Sequence, residues 1–334
     1  MNPNITGFYH DPPVFLGERP VDESTKQVFF DRFNEAVLRT TLHCGLEFRA
    51  SVEGLIAFDF TTSENCATPM NGPHFIDDFD VLAEKKVRQT RIMNTYLAFF
   101  YTRHMEIDQW TMERMVVSPA TCFSMHSLES GIGGGSPSVF RLAASSFAHT
   151  YAGPPFFDMR ILNRPPKPVS AEVVQNAAND LSTFIDNHGD EGILLIDLFL
   201  RASIAFQDHN HSLSLTSSWT VIEKLINDLW RRMQQDHQSR QGEQFIDAKR
   251  RERLQDGRTF TASVMSEMLS FMEYIPKDLY DDVSKVRVAR NKWMHSLKSV
   301  NAQEAMVANS VCERFLKEVM GVTLIGATGR TLRG

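Results

Sequence analysis

Through most of the second half of the chain, apolar residues return every three or four positions with polar ones between them, the signature of helices buried on one face. Glu172–His188 places Val174, Ala177, Leu181 and Ile185 on one side. Ile193–Asp208 is apolar on most sides and is expected at the centre of a bundle. Trp219–Asp236 carries Ile222, Leu225, Ile226, Leu229, Trp230 and Met233 in a regular alternation. Thr261–Tyr274 stops before Pro276, because the residue preceding a proline disfavours the helical region. Leu279–Leu297 has the seam Leu279, Val283, Val286, Ala289, Trp293 and Leu297. Ala302–Met320 opens with Asn301 and Glu304, a capping-box spacing, and turns Ala305, Ala308, Cys312, Phe315 and Val319 inward. Consecutive amphipathic helices with mostly short joints predict an up-and-down helical bundle.

The first half is patterned differently. Glu47–Val52 and Leu55–Phe60 predict a strand pair turning at Glu53-Gly54, although their alternation is imperfect. From Ile76 to His104 the period becomes helical, with Phe79, Leu82, Val87, Ile92, Tyr96, Leu97 and Phe100 on the apolar face. A further helix is expected over Ile107–Val117. The run Ser130–Ser138 contains Gly131, Gly133, Gly134 and Gly135. It has no Gly-Lys-Ser/Thr ending, and Ser136 stands where a dinucleotide fingerprint needs its last glycine, so it reads as a loop. Pro154, Pro155, Pro165, Pro166 and Pro168 break regular structure between residues 151 and 170. The expected organisation is therefore an N-terminal domain over 1–165, mostly helical or α+β, a helical bundle over 170–322 and a tail over 323–334. The fold class is mainly α.

Composition narrows the function. Of 334 residues, 42% are hydrophobic and 23% charged, which suits a globular chain able to bury a sizeable core. The net charge of −6 argues against a nucleic-acid binder with a basic surface throughout, but leaves room for a local basic patch. Cys44, Cys66, Cys122 and Cys312 are scattered without a C-x-x-C pair, so they read as reduced thiols rather than a disulfide or zinc framework. Met1–Ile5 lacks the basic-then-apolar pattern of a signal peptide, and Ile193–Phe206 is interrupted by Asp197 and Arg201 and too short to span a membrane. The expectation is a cytoplasmic protein with no membrane segment.

The helix Leu279–Leu297 carries a second stripe: Arg287, Asn291, His295 and Lys298, spaced by four, four and three, share one face. At about 100° per residue, His295 lies about 200° from Trp293, so this stripe points away from the seam. No acid occurs between Ser284 and Val300. A surface helix ordinarily mixes acids with its lysines; this face suits phosphate. The plain alternative is a solvated helix face, where a histidine near the C-terminus is favoured by the helix dipole.

The segment Arg290-Asn291-Lys292-Trp293-Met294-His295 resembles the R-x4-6-H signature of the HEPN superfamily, in which a polar residue commonly follows the arginine. The resemblance covers roughly residues 190–320 and does not reach the N-terminal half. It implies a metal-independent, cofactor-free endoribonuclease in which the ribose 2′-hydroxyl attacks the adjacent phosphorus, leaving a 2′,3′-cyclic phosphate. Arg290, Asn291 and His295 would be catalytic. His295 would shuttle a proton, Arg290 would hold phosphate oxygens bidentately, and Asn291 would orient one or the other. Arg287 and Lys298 would bind substrate. The resemblance also implies a homodimer through the motif helix, RNA as partner, a toxin or antiviral setting with an antitoxin or regulatory partner, and an N-terminal domain that senses or regulates. Its inactive members imply an alternative, a non-catalytic dimerisation or scaffold module; a third reading places the principal activity in the N-terminal domain.

Other candidates carry less. Glu223 could support the site as an acid or simply sit near a helix N-terminus. Trp219 and Trp230 read as packing residues. His209-Asn210-His211 lacks acidic or thiol partners at ligand spacing and reads as a loop. Residues 231–258 hold Arg231, Arg232, Arg240, Lys249, Arg250, Arg251, Arg253 and Arg258 against five acids. That stretch is either a grip for RNA phosphates or a solubilising charged segment.

Overall fold

The computed structural model describes residues 2–10, 14–18, 32, 34–63, 79–110, 112–129 and 168–326. The glycine run, Cys66 and the prolines from Pro154 to Pro166 lie outside them. Within the described residues the protein is mainly helical, with a small antiparallel sheet near the N-terminus. It divides into two compact units, residues 1–197 and 198–334.

The first unit is built on five strands: β1 (Asn2–Tyr9), β2 (Ala36–Thr41), β3 (Glu47–Ser51), β4 (Leu55–Asp59) and β5 (Phe123–Met125). Their order is β2-β3-β4-β1-β5, antiparallel throughout. The predicted strand pair is β3–β4, with Phe48 opposite Phe58 and Ala50 opposite Ile56. Gly54 in its turn has φ +87°, and a Cβ there would meet the Val14 carbonyl oxygen at 2.4 Å, so both backbone and space demand glycine.

The sheet is covered on both faces, which is why its alternation is blurred in the sequence. On one face Phe48 and Phe58 pack on Tyr96 of α1 (Phe79–Ile107), with ring centroids 5.1 and 6.0 Å apart. On the other, Ile5, Tyr9, Leu55, Ala57, Phe123, Met125 and Leu128 form a separate cluster. Helix α1 buries Ile92, Tyr96, Leu97 and Phe100 as expected; Val87 is half-buried, and the side chains of Phe79 and Leu82 lie outside the described ones.

The helix expected over Ile107–Val117 is not formed among the described residues. α1 ends at Ile107, Gln109 takes φ +56°, and residues 112–118 run without regular structure. Side chains of α1 satisfy that backbone instead. Asn94 donates to the Val117 carbonyl (3.0 Å) and accepts from its N–H (2.7 Å), and the Tyr101 hydroxyl accepts from Met115 N–H (2.9 Å). His104 places Nδ1 3.1 Å from Asp108 and Nε2 3.1 Å from the Trp110 carbonyl.

The next helix, α2 (Ala171–Gln207), joins the two predicted helices Glu172–His188 and Ile193–Asp208 across Gly189, whose φ 55°, ψ −150° is not helical. The division between units falls inside α2, at Asp197/Leu198, well beyond the proline-rich stretch. Its first part packs with the first unit: Arg103 forks onto Asp180 (2.6 and 2.9 Å), Phe99 meets Phe184 edge-on, and Asn94 donates to Asp197 (2.6 Å). The helix expected to open the bundle thus belongs to the sheet-bearing unit.

In the second unit follow α3 (His211–Gln241), a 3-10 turn (Glu243–Ile246), α4 (Ala248–Leu254), α5 (Ala262–Phe271), α6 (Lys277–Ser296) and α7 (Ala302–Met320). α3 packs along α7 and also against α5 and α6, while α7 lies beside α6. The predicted seams of α3 and α7 are buried in full. α3 begins eight residues before Trp219, capped by Asn210, whose Oδ1 accepts from Leu213 N–H. The capping box of α7 forms as the Asn301/Glu304 spacing predicts.

The first unit also buries a carboxyl. Tyr9 donates to Glu53 Oε1 (3.0 Å) beneath the sheet, while Arg49 directs its guanidinium to the Leu128 carbonyl (2.8 Å) and to Asn34. Burial outweighs the Tyr9 hydrogen bond and the nearby Arg49 charge, and raises the Glu53 pKa from 4.5 to about 7. The folded protein therefore holds a proton that the unfolded chain has lost between those values. Urea unfolding is expected to show stability falling as pH rises from about 4.5 through 7, by at most roughly 1.4 kcal/mol per pH unit. Glu53→Gln should flatten that slope; an unchanged slope would place the proton elsewhere.

Candidate functional site

Helix α6 opens after Pro276, whose extended backbone leads into the first turn, and it ends at Leu297 in the left-handed region (φ 48°, ψ 29°). Leu279, Val283, Val286 and Ala289 are buried against the rest of the unit. The seam then frays. Trp293 is half-buried, and Leu297, expected inside, is 76% exposed. Its left-handed conformation explains this, since the chain has left the helix and its side chain no longer follows the seam.

The two halves of α6 differ in charge pairing. In the first, Lys277 pairs with Asp281, Lys285 with Asp282 (2.7 Å), and Arg314 of α7 reaches Asp278 (2.6 Å) and Asp282 (3.7 Å). These contacts raise the pKa of Lys277 and Lys285, chiefly through the hydrogen bond each donates to its partner aspartate, and lower that of Asp278 through Arg314. In the second half, Arg287, Arg290, Lys292, His295 and Lys298 take no part in an ion pair among the described residues. Lys292, His295 and Lys298 are exposed toward the C-terminal end of the helix, where cations are favoured.

The candidate residues are placed as follows. Arg287, Arg290 and Asn291 are half-buried; His295 and Lys298 are exposed. Arg290 and Asn291 meet: Arg290 Nη1 donates to Asn291 Oδ1 at 3.2 Å. The amide thus steers the guanidinium rather than the imidazole, and leaves its charge unneutralised. His295 has no hydrogen-bond partner among the described residues. Arg290 and His295 are five residues apart, which separates them by about 140° around a regular helix. Arg290 sits beside the buried seam and His295 on the outward side, so a single copy of α6 presents the two functions in different directions.

Of the remaining candidates, Glu223 is half-buried on α3, and Asn227 donates to its backbone carbonyl. Trp219 and Trp230 are buried, as packing residues should be. His209 takes φ 59° at the turn into α3, and Asn210 is that helix's cap. Among the described residues no group of three or more His, Cys, Asp or Glu is placed to share a metal ion. Cys122 and Cys312 are buried and Cys44 half-buried; burial raises the pKa of all three thiols.

Two features escaped the sequence pattern. One is an apolar stripe on α5 and its C-cap, Val264, Met268, Phe271 and Met272, left exposed although its spacing is that of a core face; Phe271 is 79% exposed. The other is the anchoring of the basic segment. Trp230 Nε1 donates to the Leu254 carbonyl (2.9 Å) and its ring lies 5.1 Å from Phe260, which fixes both ends of the stretch after α4. The arginine run is visible in the sequence, but nothing local predicts that a tryptophan more than a turn-length away would hold it.

A non-glycine residue in the left-handed region costs roughly 1 kcal/mol. Leu297→Gly should therefore raise the urea midpoint of the second unit by an amount worth about 1 kcal/mol, since an exposed leucine forfeits little burial. A lowered midpoint would show that Leu297 makes contacts that its exposure denies.

No helix among the described residues is long and apolar enough to cross a membrane. Comparison with protein-family models, curated proteins and solved structures finds no match to this chain.

Proposed function

We propose that the second unit is an endoribonuclease domain of HEPN type, with its site on the C-terminal half of α6. The observation that carries this reading is Arg290: a half-buried guanidinium, steered by an amide oxygen instead of a carboxylate, five residues before an exposed histidine on a helix half without acids. In the reaction, the 2′-hydroxyl of one nucleotide attacks the adjacent phosphorus and the bond to the 5′-oxygen breaks. The products are a 2′,3′-cyclic phosphate and a free 5′-hydroxyl. An imidazole can take the proton of the attacking hydroxyl or return one to the leaving oxygen. Arg290 would stabilise charge on the non-bridging oxygens of the pentavalent transition state. Arg287 and Lys298 would hold flanking phosphates. Because Arg290 and His295 diverge around the helix, the complete site would combine two copies of α6 about a two-fold axis, in a homodimer. A toxin or defence role is the setting that such an activity would suit, with residues 1–165 as its sensor.

A second reading is a non-catalytic scaffold module. The exposed α5 stripe favours it, since Val264, Met268, Phe271 and Met272 offer an apolar face of the kind that associating proteins cover.

Incubating the full chain with tRNA and total RNA in EDTA separates the readings. Cyclic-phosphate ends should form, and His295→Ala and Arg290→Ala should each slow their formation on the order of 100-fold or more. Asn291→Ala should cost less, through loss of the Arg290 steering contact. RNA that stays intact with the wild-type chain, or cleavage untouched by both variants, would leave the scaffold reading in place. Growth arrest on expression, relieved by the same two substitutions, would support the toxin setting.

A further inference from the structure

We propose that α4 and the turn before it form a binding surface for the phosphate backbone of single-stranded RNA, distinct from the α6 residues. The inference rests on the ribonuclease reading for its choice of polyanion, and on the following geometry for everything else.

Every residue of α4 is at least partly exposed, and none is buried. The helix adds nothing to the core, yet it is held in place. Ile246 is buried in the turn ahead of it, Asp247 caps its first turn by accepting from Arg250 N–H (2.7 Å), and Trp230 takes the Leu254 carbonyl at its end. What this anchored segment displays is charge: Lys249, Arg250, Arg251 and Arg253, followed by Arg258. None of the five forms an ion pair among the described residues. Lys249 and Arg253 are one turn apart on the same face. The nearby acids do little to cancel them. Asp247 is spent on the cap, and Asp256 accepts from Arg258 N–H and the Thr259 hydroxyl. Glu252 is the one acid within α4.

Two arginines are also held in place by neutral partners. Arg250 lies 4.4 Å over the Phe245 ring and donates to the Phe245 carbonyl (2.9 Å), and Arg251 donates to Gln238 Oε1 (3.2 Å). Holding a guanidinium without neutralising it reduces the entropy lost when it meets a phosphate. The half-exposed Phe245 with Arg250 across it provides a flat face of the kind on which unpaired bases stack. Cations alone would suit any polyanion; the aromatic–guanidinium platform beside them favours a single strand with accessible bases.

The test uses the full chain and a fluorescent 2′-O-methyl RNA, which binds but offers no 2′-hydroxyl for attack. Anisotropy titrations at several salt concentrations compare the wild type with the combined variant Lys249→Ala, Arg250→Ala, Arg251→Ala, Arg253→Ala. None of these side chains is buried, and circular dichroism with the unfolding midpoint checks that the fold is kept. The variant should bind at least roughly tenfold more weakly, and the slope of log K against log salt should shrink by about 3, as four lost contacts to a single strand require. Phe245→Ala should weaken binding with the slope unchanged. A wild type that does not bind, a variant that binds equally well, or poly-glutamate competing as well as RNA at equal charge would overturn the proposal. RNA that binds through α4 but is never cleaved would retain this surface and remove the ribonuclease assignment, so the two claims fail separately.

Discussion

The long contact between α3 and α7 governs the second unit. Ile222, Leu225, Ile226 and Leu229 on one helix and Ala308, Cys312, Phe315 and Leu316 on the other are buried almost completely. At about 25 cal/mol per Å² of apolar surface, such a seam dominates the favourable side of folding here. It also carries a polar contact that depends on register: Asn309, wholly buried, donates to Ser214 of α3 (2.7 Å), while its second amide bond goes to the Ala305 carbonyl of its own helix (3.0 Å). A slip of one residue would break the Ser214 contact inside the core, at a cost on the order of 1–3 kcal/mol. With the register fixed, α6 packs beside α7 with its orientation settled, and the direction in which Arg290 and His295 point follows from it.

That constraint gives the charges of α6 their contrast. Its acids face cations of its own first half and Arg314 of α7, and are neutralised. Its second half has no acids to neutralise anything, and α7 brings none to ion-pair distance among the described residues. Unpaired cations on a helix repel one another by a few tenths of a kcal/mol per neighbouring pair. The helix tolerates this because Leu279, Val283, Val286 and Ala289 secure it elsewhere. The same logic holds in α4, where Ile246 and Trp230 anchor the segment and the contacts that Arg250 and Arg251 add go to neutral partners, which leave their charge in place. In both places packing on one side allows unbalanced charge on the other, an arrangement that a polyanion would relieve.

The helical half of the fold was legible because its faces obey a local period, and local periods survive in a sequence. The strand pair was legible through Gly54, a residue that its turn requires, more than through alternation, which two-sided burial had erased. Segments whose backbone is satisfied from afar were misread. Residues 107–117 look helical on apolar content, but Asn94, Tyr101 and His104 supply hydrogen bonds to them from 23, 14 and 6 residues away, and no local pattern reports such partners. The early turns of α3 were missed for the opposite reason. Ser214 and Ser218 are buried there, and Thr216 and Thr220 bond back to carbonyls of the preceding turn, so a core helix face is written in residues that usually mark loops. The division between units falls past the prolines because the first part of α2 finds its partners in Arg103, Phe99 and Asn94 of α1, and its pattern does not say which unit it serves. For the candidate site, the stripe on α6 could be read directly. The Arg290–Asn291 contact and the exposure of Leu297 needed coordinates.

The spacing of Arg290 and His295 then becomes the deciding geometric fact. Two groups that act on one phosphodiester must both come within hydrogen-bond reach of it, about 3 Å. Five residues of regular helix turn the second side chain about 140° from the first, and α6 is regular throughout that interval. Side-chain length absorbs part of the gap, since arginine reaches far, but Arg290 is drawn toward Asn291, which lies about 100° further round. The steering contact therefore moves the guanidinium out of the seam and toward the side His295 occupies. A single helix narrows the divergence this way without closing it. Under the proposed ribonuclease reading, a second copy of α6 related by a two-fold axis would close it, by setting the arginine of one chain against the histidine of the other.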